Sequence, residues 1–155
     1  MPDLSPGDLA PAFDLPADGG GRVRSDDLKG QSVVLYFYPK DDTSGCTSEA
    51  KGFTEAAAAF KAAGAVVIGV SKDSVASHDK FKAKYELDLT LGADVDGAVV
   101  EAYGVWVEKS MYGRKYMGID RSTFLIGPDG LLKAVWRKVK VPGHVAEVLK
   151  AVKAS

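Results

Sequence analysis

Continuous apolar runs and helix-forming stretches alternate along the first half of the chain. Residues 32–38 form an apolar and aromatic run, and residues 65–70 form a second one. Neither run alternates with polar residues, which predicts strands that are covered on both faces of a sheet. Between them, residues 48–63 have the composition of a helix, and Gly64 supplies its end. The order strand, helix, strand predicts two parallel strands joined by a helical crossover.

Shorter elements are predicted on both sides of this unit. Residues 13–15 and 22–24 flank a glycine-rich turn and predict a hairpin, and residues 25–30 predict one helical turn. Residues 105–120 have no clear periodicity and predict a loop that bears one short strand. The remaining predicted elements are helices at residues 74–84, 96–103 and 144–153, and strands at residues 89–91, 122–126 and 131–138, the last two joined by a turn at residues 127–130.

This order of elements predicts an α/β protein with a thioredoxin-like fold, in which a central mixed β-sheet is flanked by helices and preceded by an N-terminal β-hairpin. A chain of 155 residues that is 46% hydrophobic has the size of one globular domain with its own core, so we predict a single domain over residues 1–155. The 20 Lys and Arg residues nearly balance the 21 Asp and Glu residues. This balance gives no reason to expect nucleic acid or an anionic membrane surface as a partner.

The N-terminal segment indicates the compartment. It reads M-P-D-L-S-P-G-D-L-A-P, which is acidic and rich in proline and lacks the basic and apolar regions of a secretory signal. No stretch of the sequence approaches the roughly 20 apolar residues that a membrane-spanning helix needs. We therefore expect a cytoplasmic protein.

The only cysteine lies where the first apolar run gives way to the first long helix. Residues 36–53 read Y-F-Y-P-K-D-D-T-S-G-C-T-S-E-A-K-G-F, with Cys46 at the start of the helical pattern. At the first turn of a helix, unpaired backbone N–H groups and the positive end of the helix dipole favour thiolate over thiol. In sheets of this kind, active sites are located beyond the carboxyl ends of the strands, where this loop lies. Cys46 is therefore predicted to be a nucleophile.

Other polar and aromatic residues have simple structural interpretations when each is taken alone. The two histidines, His78 and His144, are expected to be surface or capping groups. Because they are far apart in a chain with one cysteine, they do not predict a zinc site, and no cofactor is expected. Three aromatic residues are expected to serve packing, namely Trp106, Tyr112 and Trp136.

The segment P-K-D-D-T-S-G-C-T-S-E-A resembles the active-site signature Pro-x-x-x-Thr-x-x-Cys of the peroxiredoxins. It is most similar to the bacterioferritin comigratory protein branch, also called peroxiredoxin Q. The segments S-K-D-S-V-A-S-H-D-K-F, Y-G-V-W and Y-M-G-I-D-R-S-T-F-L-I, which begin at residues 71, 103 and 116, extend the resemblance over nearly the whole chain. The resemblance implies a thiol-dependent peroxidase that reduces hydrogen peroxide and organic hydroperoxides.

The resemblance also implies a role for each residue of the signature. Cys46 becomes the peroxidatic cysteine, Thr43 contacts the peroxide and the thiolate, and Pro39 shields the pocket. Arg121 is expected to place its guanidinium near the sulfur, where fixed donors stabilise the charge that develops on the departing oxygen. Glu49 has two interpretations: a first-turn acid that the helix dipole favours, or a support that orients Arg121.

The chain departs from many relatives in lacking a second cysteine. The resemblance places a resolving cysteine five residues after Cys46 or on the next helix, and these positions hold Lys51 and Lys82. The implied cycle is therefore of the one-Cys type, in which an external thiol recycles the Cys46 sulfenic acid. Thioredoxin, glutaredoxin or a low-molecular-weight thiol would serve as reductant, and the branch implies a monomer.

Two other functions stay open at this point. A monothiol exchanger of disulfides or glutathione fits T-S-G-C, because Thr43 then stands where thioredoxin-like proteins carry the first cysteine of C-x-x-C. A redox-sensing module, in which oxidation of Cys46 changes a partner surface, is the non-enzymatic alternative. A cysteine hydrolase is disfavoured because no histidine lies near Cys46 in the sequence.

Overall fold

The computed structural model of the protein describes residues 4–155. The strands are β1 (Asp14–Pro16), β2 (Arg22–Arg24), β3 (Ser32–Phe37), β4 (Ala65–Ser71), β5 (Thr90–Ala93), β6 (Trp106–Met111), β7 (Arg114–Ile119), β8 (Ser122–Ile126) and β9 (Leu132–Trp136). The helices are α1 (Ser44–Glu55), α2 (Ala57–Ala62), α3 (Val75–Tyr85), α4 (Ala98–Ala102) and α5 (His144–Ala154). Within the described range, no helix is long and apolar enough to cross a membrane.

Five of the strands form one mixed sheet in the order β5-β4-β3-β8-β9. β3, β4 and β5 run parallel to one another, whereas β8 pairs antiparallel with β3 and β9 pairs antiparallel with β8. β1 and β2 form the predicted N-terminal hairpin, and the helical turn predicted after it is a 3-10 turn at Ser25–Leu28. The predicted thioredoxin-like α/β fold with a central mixed sheet is confirmed.

Two clusters of buried apolar side chains lie on the two faces of this sheet. Because side chains alternate between faces along a strand, successive residues around β3 enter the two clusters in turn. One cluster contains Val33, Leu35 and Phe37, and the other contains Val34, Tyr36 and Tyr38. Residues of the N-terminal hairpin and α4 complete the first cluster, and residues of α1, α2, α3 and α5 complete the second. The unbroken apolar run in the sequence therefore reflects burial on both sides.

The predicted loop at residues 105–120 is wrong. This segment forms an antiparallel hairpin of β6 and β7 outside the central sheet, with Trp106 opposite Ile119 at its base. Its tip is formed by Tyr112 and Gly113, which both have positive φ angles. Most of its side chains are exposed, and Tyr112 is 98% exposed rather than packed. The hairpin left no alternation in the sequence because neither of its faces is fully buried.

The helix predicted at residues 48–63 is two helices in the structure. α1 begins earlier than predicted, at Ser44, and a break at Ala56 separates it from α2. The other predicted elements lie within two residues of the observed bounds at each end. With this earlier start, Cys46 lies inside the first turn of α1.

The packing of Tyr36 makes the stability of the protein sensitive to any side chain added at Gly69. The two residues are opposite each other in the parallel register of β3 and β4, and a Cβ on Gly69 would lie 2.7 Å from the Tyr36 ring. Tyr36 is fully buried and stacks on Phe53 with 4.7 Å between ring centroids, so it has little room to move. We expect Gly69→Ala to lower the free energy of unfolding by about 1–3 kcal/mol, measured by denaturant titration.

Gly21→Ala is the matched control, because no atom lies within 4 Å of a Cβ at Gly21 and its φ is −88°. We expect this variant to stay within about 0.5 kcal/mol of the wild type. Equal losses in the two variants would contradict the packing argument.

Candidate active site

The candidate site lies beyond the carboxyl end of β3, where the chain turns into α1. Thr43 is the N-cap residue of α1, and Cys46 is the third residue of the helix. The thiol is free and only 1% exposed. The predicted position of Cys46 in the first turn of a helix is therefore correct, and the sulfur lies under the surface rather than on it.

Arg121 reaches the sulfur because of the way the sheet pairs. β8 runs antiparallel to β3, so Ser122 at its start lies opposite Phe37 at the end of β3. Arg121 directly precedes Ser122 and is thereby brought to the amino end of α1. Its Nη2 donates a hydrogen bond to Cys46 Sγ at 3.3 Å. The expected approach of the guanidinium to the sulfur is present, across 75 residues of sequence.

Glu49 binds the other end of the same guanidinium. It follows Cys46 by three residues, which places the two side chains on one face of α1. Arg121 Nη1 donates to Glu49 Oε1 at 2.6 Å, and the carboxyl side chain has no exposed surface. Within residues 4–155, Glu49 Oε2 has no hydrogen-bond partner. Burial raises the pKa of Glu49 to about 7, and the charge of Arg121 opposes that rise.

Gly45 provides the space that the guanidinium occupies. A Cβ at this position would lie 3.1 Å from Arg121 Nη2. Glycine is disfavoured inside helices, and this one stands in the first turn of α1. Its role was missed from the sequence, although a glycine directly before a candidate nucleophile in a helix was a usable signal.

Thr43 and Pro39 lie on the loop that leads to the site. Thr43 is exposed, and its hydroxyl donates to the Lys40 carbonyl at 2.9 Å rather than capping α1. Pro39 is exposed and borders a cavity of about 400 Å³ at the base of the β6–β7 hairpin, together with Lys72, Trp106, Lys109, Tyr116, Met117, Gly118 and Ile119. The structure thus joins Arg121 and Glu49 to Cys46, and it leaves Thr43 and Pro39 on the surface of the approaching loop.

Both histidines are buried, so the expectation of surface or capping groups is wrong. His78 has no exposed surface, and His144 is 4% exposed. His78 lies 2.7 Å from Asp41 Oδ2 and 2.9 Å from the Gly92 carbonyl, and His144 Nε2 lies 2.8 Å from the Thr123 hydroxyl. Because these partners come from distant segments, the sequence did not reveal them. Across residues 4–155, no three or more His, Cys, Asp and Glu residues are placed to hold a metal ion.

Lys51 and Lys82 stand where the sequence resemblance implies a resolving cysteine, and each has a partner of its own. The Lys51 ammonium lies 5.2 Å from the centroid of the Tyr85 ring. The Lys82 ammonium lies 2.7 Å from Asp18 Oδ2, a partner in a 3-10 turn near the N-terminus. These contacts give both positions a structural use.

The raised pKa of Glu49 predicts a pH dependence of stability. The folded protein holds the Glu49 proton up to a pH of about 7, whereas the unfolded chain releases it near 4.5. Stability therefore falls as the pH rises between these values, by up to about 3 kcal/mol from this group. We expect Glu49→Gln to remove this part of the dependence in denaturant titrations from pH 4.5 to 7.5. Parallel curves for the wild type and the variant would contradict it.

Comparisons with known proteins agree with this geometry. The AhpC/TSA family matches residues 6–135. A bcp protein of Coxiella burnetii is 57% identical over 92% of this chain and 95% of its own length. Peroxiredoxin Bcp of Bacillus subtilis is 49% identical over 95% of this chain and 94% of its own length.

A solved structure is similar over most of the chain. It is the bacterioferritin comigratory protein of Xanthomonas campestris, described by its alkyl peroxide reduction activity and by trapped intermediate and ligand complexes. The two chains superpose with a TM-score of 0.88 at 46% identity, over 92% of this chain and 90% of the other. From the matched family, the curated relatives and the shared fold, we conclude that this chain belongs to the AhpC/TSA family, as a peroxiredoxin of the Bcp branch.

Proposed function

We propose that this protein is a thiol-dependent peroxidase in which Cys46 reduces hydrogen peroxide and organic hydroperoxides. The observation that carries the proposal is the 3.3 Å contact between Arg121 Nη2 and Cys46 Sγ in the first turn of α1. A cation at this place stands where negative charge develops during the reaction, and it stabilises that charge. Membership of the peroxiredoxin family supports the same conclusion.

The proposed reaction begins with attack of the Cys46 thiolate on one peroxide oxygen. The S–O bond forms as the O–O bond breaks, and the departing hydroxide or alkoxide takes a proton from solvent. The sulfur is oxidised to sulfenic acid, and the peroxide is reduced to water or an alcohol. The Arg121 guanidinium is a fixed donor both to the thiolate and to the departing oxygen, which lowers the barrier without reorganisation.

The other residues of the site have supporting roles in this proposal. Glu49 holds Nη1 of Arg121, so that Nη2 faces the sulfur. Thr43 contacts the peroxide by exchanging its bond to the Lys40 carbonyl for one to the substrate. Pro39 shields the pocket on the side of the loop. The roles of Thr43 and Pro39 rest on the family signature rather than on contacts with the sulfur.

We further propose a one-Cys cycle. Since Cys46 is the only cysteine in the chain, the sulfenic acid has no internal partner with which to form a disulfide. An external thiol attacks the oxidised sulfur and releases water, and a second thiol then resolves the mixed disulfide and restores Cys46. Thioredoxin, glutaredoxin or a low-molecular-weight thiol can supply these steps. The monomeric state and the cytoplasmic location stay predictions.

We expect Cys46→Ser to abolish peroxide consumption, because a hydroxyl is neither ionised nor nucleophilic enough to replace the thiolate. Consumption of hydrogen peroxide and of an alkyl hydroperoxide would be measured with dithiothreitol as reductant. Ser48→Ala, an exposed change two residues along the same helix, is the control and should keep the wild-type rate. Thermal unfolding would verify that both variants are folded. Turnover by Cys46→Ser near the wild-type rate would refute the assignment.

Oxidation without reductant tests the one-Cys cycle. After one equivalent of hydrogen peroxide, we expect mass spectrometry to show a gain of one oxygen on the monomer or an adduct with another thiol. A screen of thioredoxin, glutaredoxin and glutathione would then identify which thiol restores Cys46. Rapid thiol exchange with no peroxide reaction would instead favour the monothiol exchanger. Slow stoichiometric oxidation that no thiol reverses would favour the redox-sensing module.

A further inference from the structure

We propose that His78 is a positioning residue for this reaction, because its imidazolium holds Asp41 and thereby fixes the loop that connects β3 to Cys46. The proposal rests on the proposed peroxidase function and adds to it a residue outside the Pro-x-x-x-Thr-x-x-Cys signature. His78 does not contact the reacting sulfur, and it acts through the backbone of the loop. The loop in question is residues 38–43.

The carboxylate of Asp41 anchors the loop through three hydrogen bonds. Three side chains donate to it: the Tyr38 hydroxyl to Oδ1 at 2.6 Å, the Ser77 hydroxyl to Oδ2 at 2.8 Å, and His78 Nδ1 to Oδ2 at 2.7 Å. Asp41 is 8% exposed, so an unpaired charge here would carry a large desolvation cost. Two of the three donors lie on α3, which ties the loop to that helix.

The surroundings of His78 determine its protonation state. Nδ1 faces the Asp41 carboxylate, and Nε2 faces the Gly92 carbonyl at 2.9 Å. Both neighbours are acceptors, and only a ring with a proton on each nitrogen can donate to both. The ring is fully buried, so solvent does not supply an alternative partner. The geometry therefore indicates a buried imidazolium and carboxylate pair.

The loop needs such an anchor because its backbone is strained. Asp42 has φ of 59°, in the left-handed region that is unfavourable for a residue with a Cβ. Its carboxylate is held from α3 by Lys84 at 2.7 Å and by the Tyr85 hydroxyl at 2.5 Å. The backbone N–H of Asp41 donates to Asp73 Oδ2 at 2.8 Å. Contacts from α3 and the segment before it thus hold two successive residues just ahead of the Thr43 N-cap.

The polar and charged groups around His78 determine how the His78–Asp41 pair responds to pH. Asp41 and Tyr38 face it from the loop, Asp73 contributes from the segment before α3, and β5 presents the Gly92 carbonyl. Burial alone lowers the pKa of His78, but the hydrogen bond and charge of Asp41 outweigh it and raise the pKa above the usual value. Stability from this pair is therefore present below the ordinary histidine pKa and is lost as the pH rises through the folded value.

Two substitutions separate the two bonds of the ring. The side-chain amide nitrogen of asparagine occupies roughly the position of the ring atom Nδ1. His78→Asn therefore keeps a donor for Asp41 and loses the donor for the Gly92 carbonyl. The side-chain amide nitrogen of glutamine occupies roughly the position of Nε2. His78→Gln therefore keeps a donor for the Gly92 carbonyl and loses the donor for Asp41. Each variant lacks one hydrogen bond and the charge, and each is therefore the control for the other in stability.

The main measurement is the second-order rate constant for oxidation of Cys46 by hydrogen peroxide, by stopped flow. A displacement of the loop of the order of 1 Å lowers such a rate roughly tenfold to a hundredfold, and we expect this loss in His78→Gln. We expect His78→Asn to stay within about threefold of the wild type, since the Asp41 contact survives. Thermal unfolding of both variants accompanies the kinetics. Equal rates in the two variants, or a wild-type rate in His78→Gln, would overturn the proposal.

A measurement on the wild type does not depend on the folding of the variants. Nitrogen NMR of the histidine rings at pH 6, below the ordinary histidine pKa, should show two N–H groups on His78, as the imidazolium requires. A single N–H on that ring would refute the buried ion pair and the proposal with it.

Alkylation of Cys46 by iodoacetamide separates failure of this inference from failure of the proposed function. If the wild type does not reduce peroxide but His78→Gln alone changes the alkylation rate, the peroxidase assignment fails and the positioning role stands. If the wild type reduces peroxide and the two variants react equally in both assays, the positioning role fails and the peroxidase assignment stands.

Discussion

The Arg121 guanidinium is shared between a thiol and a buried carboxyl, and the candidate site depends on this arrangement. Nη2 lies 3.3 Å from Cys46 Sγ, while Nη1 lies 2.6 Å from Glu49 Oε1. The antiparallel pairing of β8 with β3 brings Arg121 to the amino end of α1, and Gly45 leaves room for it. A planar guanidinium with a rigid set of donors can serve both partners at once, which a lysine ammonium would do less well. The position of one side chain thus links the register of the sheet to the reactivity of the sulfur.

The site has few exposed groups, and this has an energetic consequence. Cys46, Glu49 and His78 all lie beneath the surface, where an ionised group without a partner would be strongly destabilising. Each is paired: Cys46 and Glu49 with Arg121, and His78 with Asp41. Low local polarity also strengthens the action of the guanidinium on charge that develops at the sulfur. Burial therefore strengthens the electrostatic effect of Arg121 on the sulfur, and the pairing of the buried groups offsets the desolvation cost of that burial.

Local patterns in the sequence predicted much of the fold. The apolar run of β3 was correctly predicted as a strand covered on both faces, because each residue from Val33 to Phe37 enters one of two clusters. The β6–β7 hairpin was missed because its faces are largely exposed, and strand pairing through the backbone leaves little pattern in such side chains. The break at Ala56 was missed for a related reason, since a run rich in alanine favours helix throughout.

By itself, the sequence determined the strand order of the first unit, the single cysteine in the first turn of a helix, and the signature that Cys46, Thr43 and Pro39 share. These properties depend on residues close together in the chain, where periodicity and motif spacing act directly. The family resemblance implied that Arg121 lies near the sulfur, and the structure shows the 3.3 Å contact. Only the tertiary structure decided that Glu49 binds the other end of this guanidinium, that Thr43 bonds to Lys40, and that both histidines are buried. Those outcomes depend on strand register and on the packing of α3 and α5, which bring together residues that are far apart in the sequence.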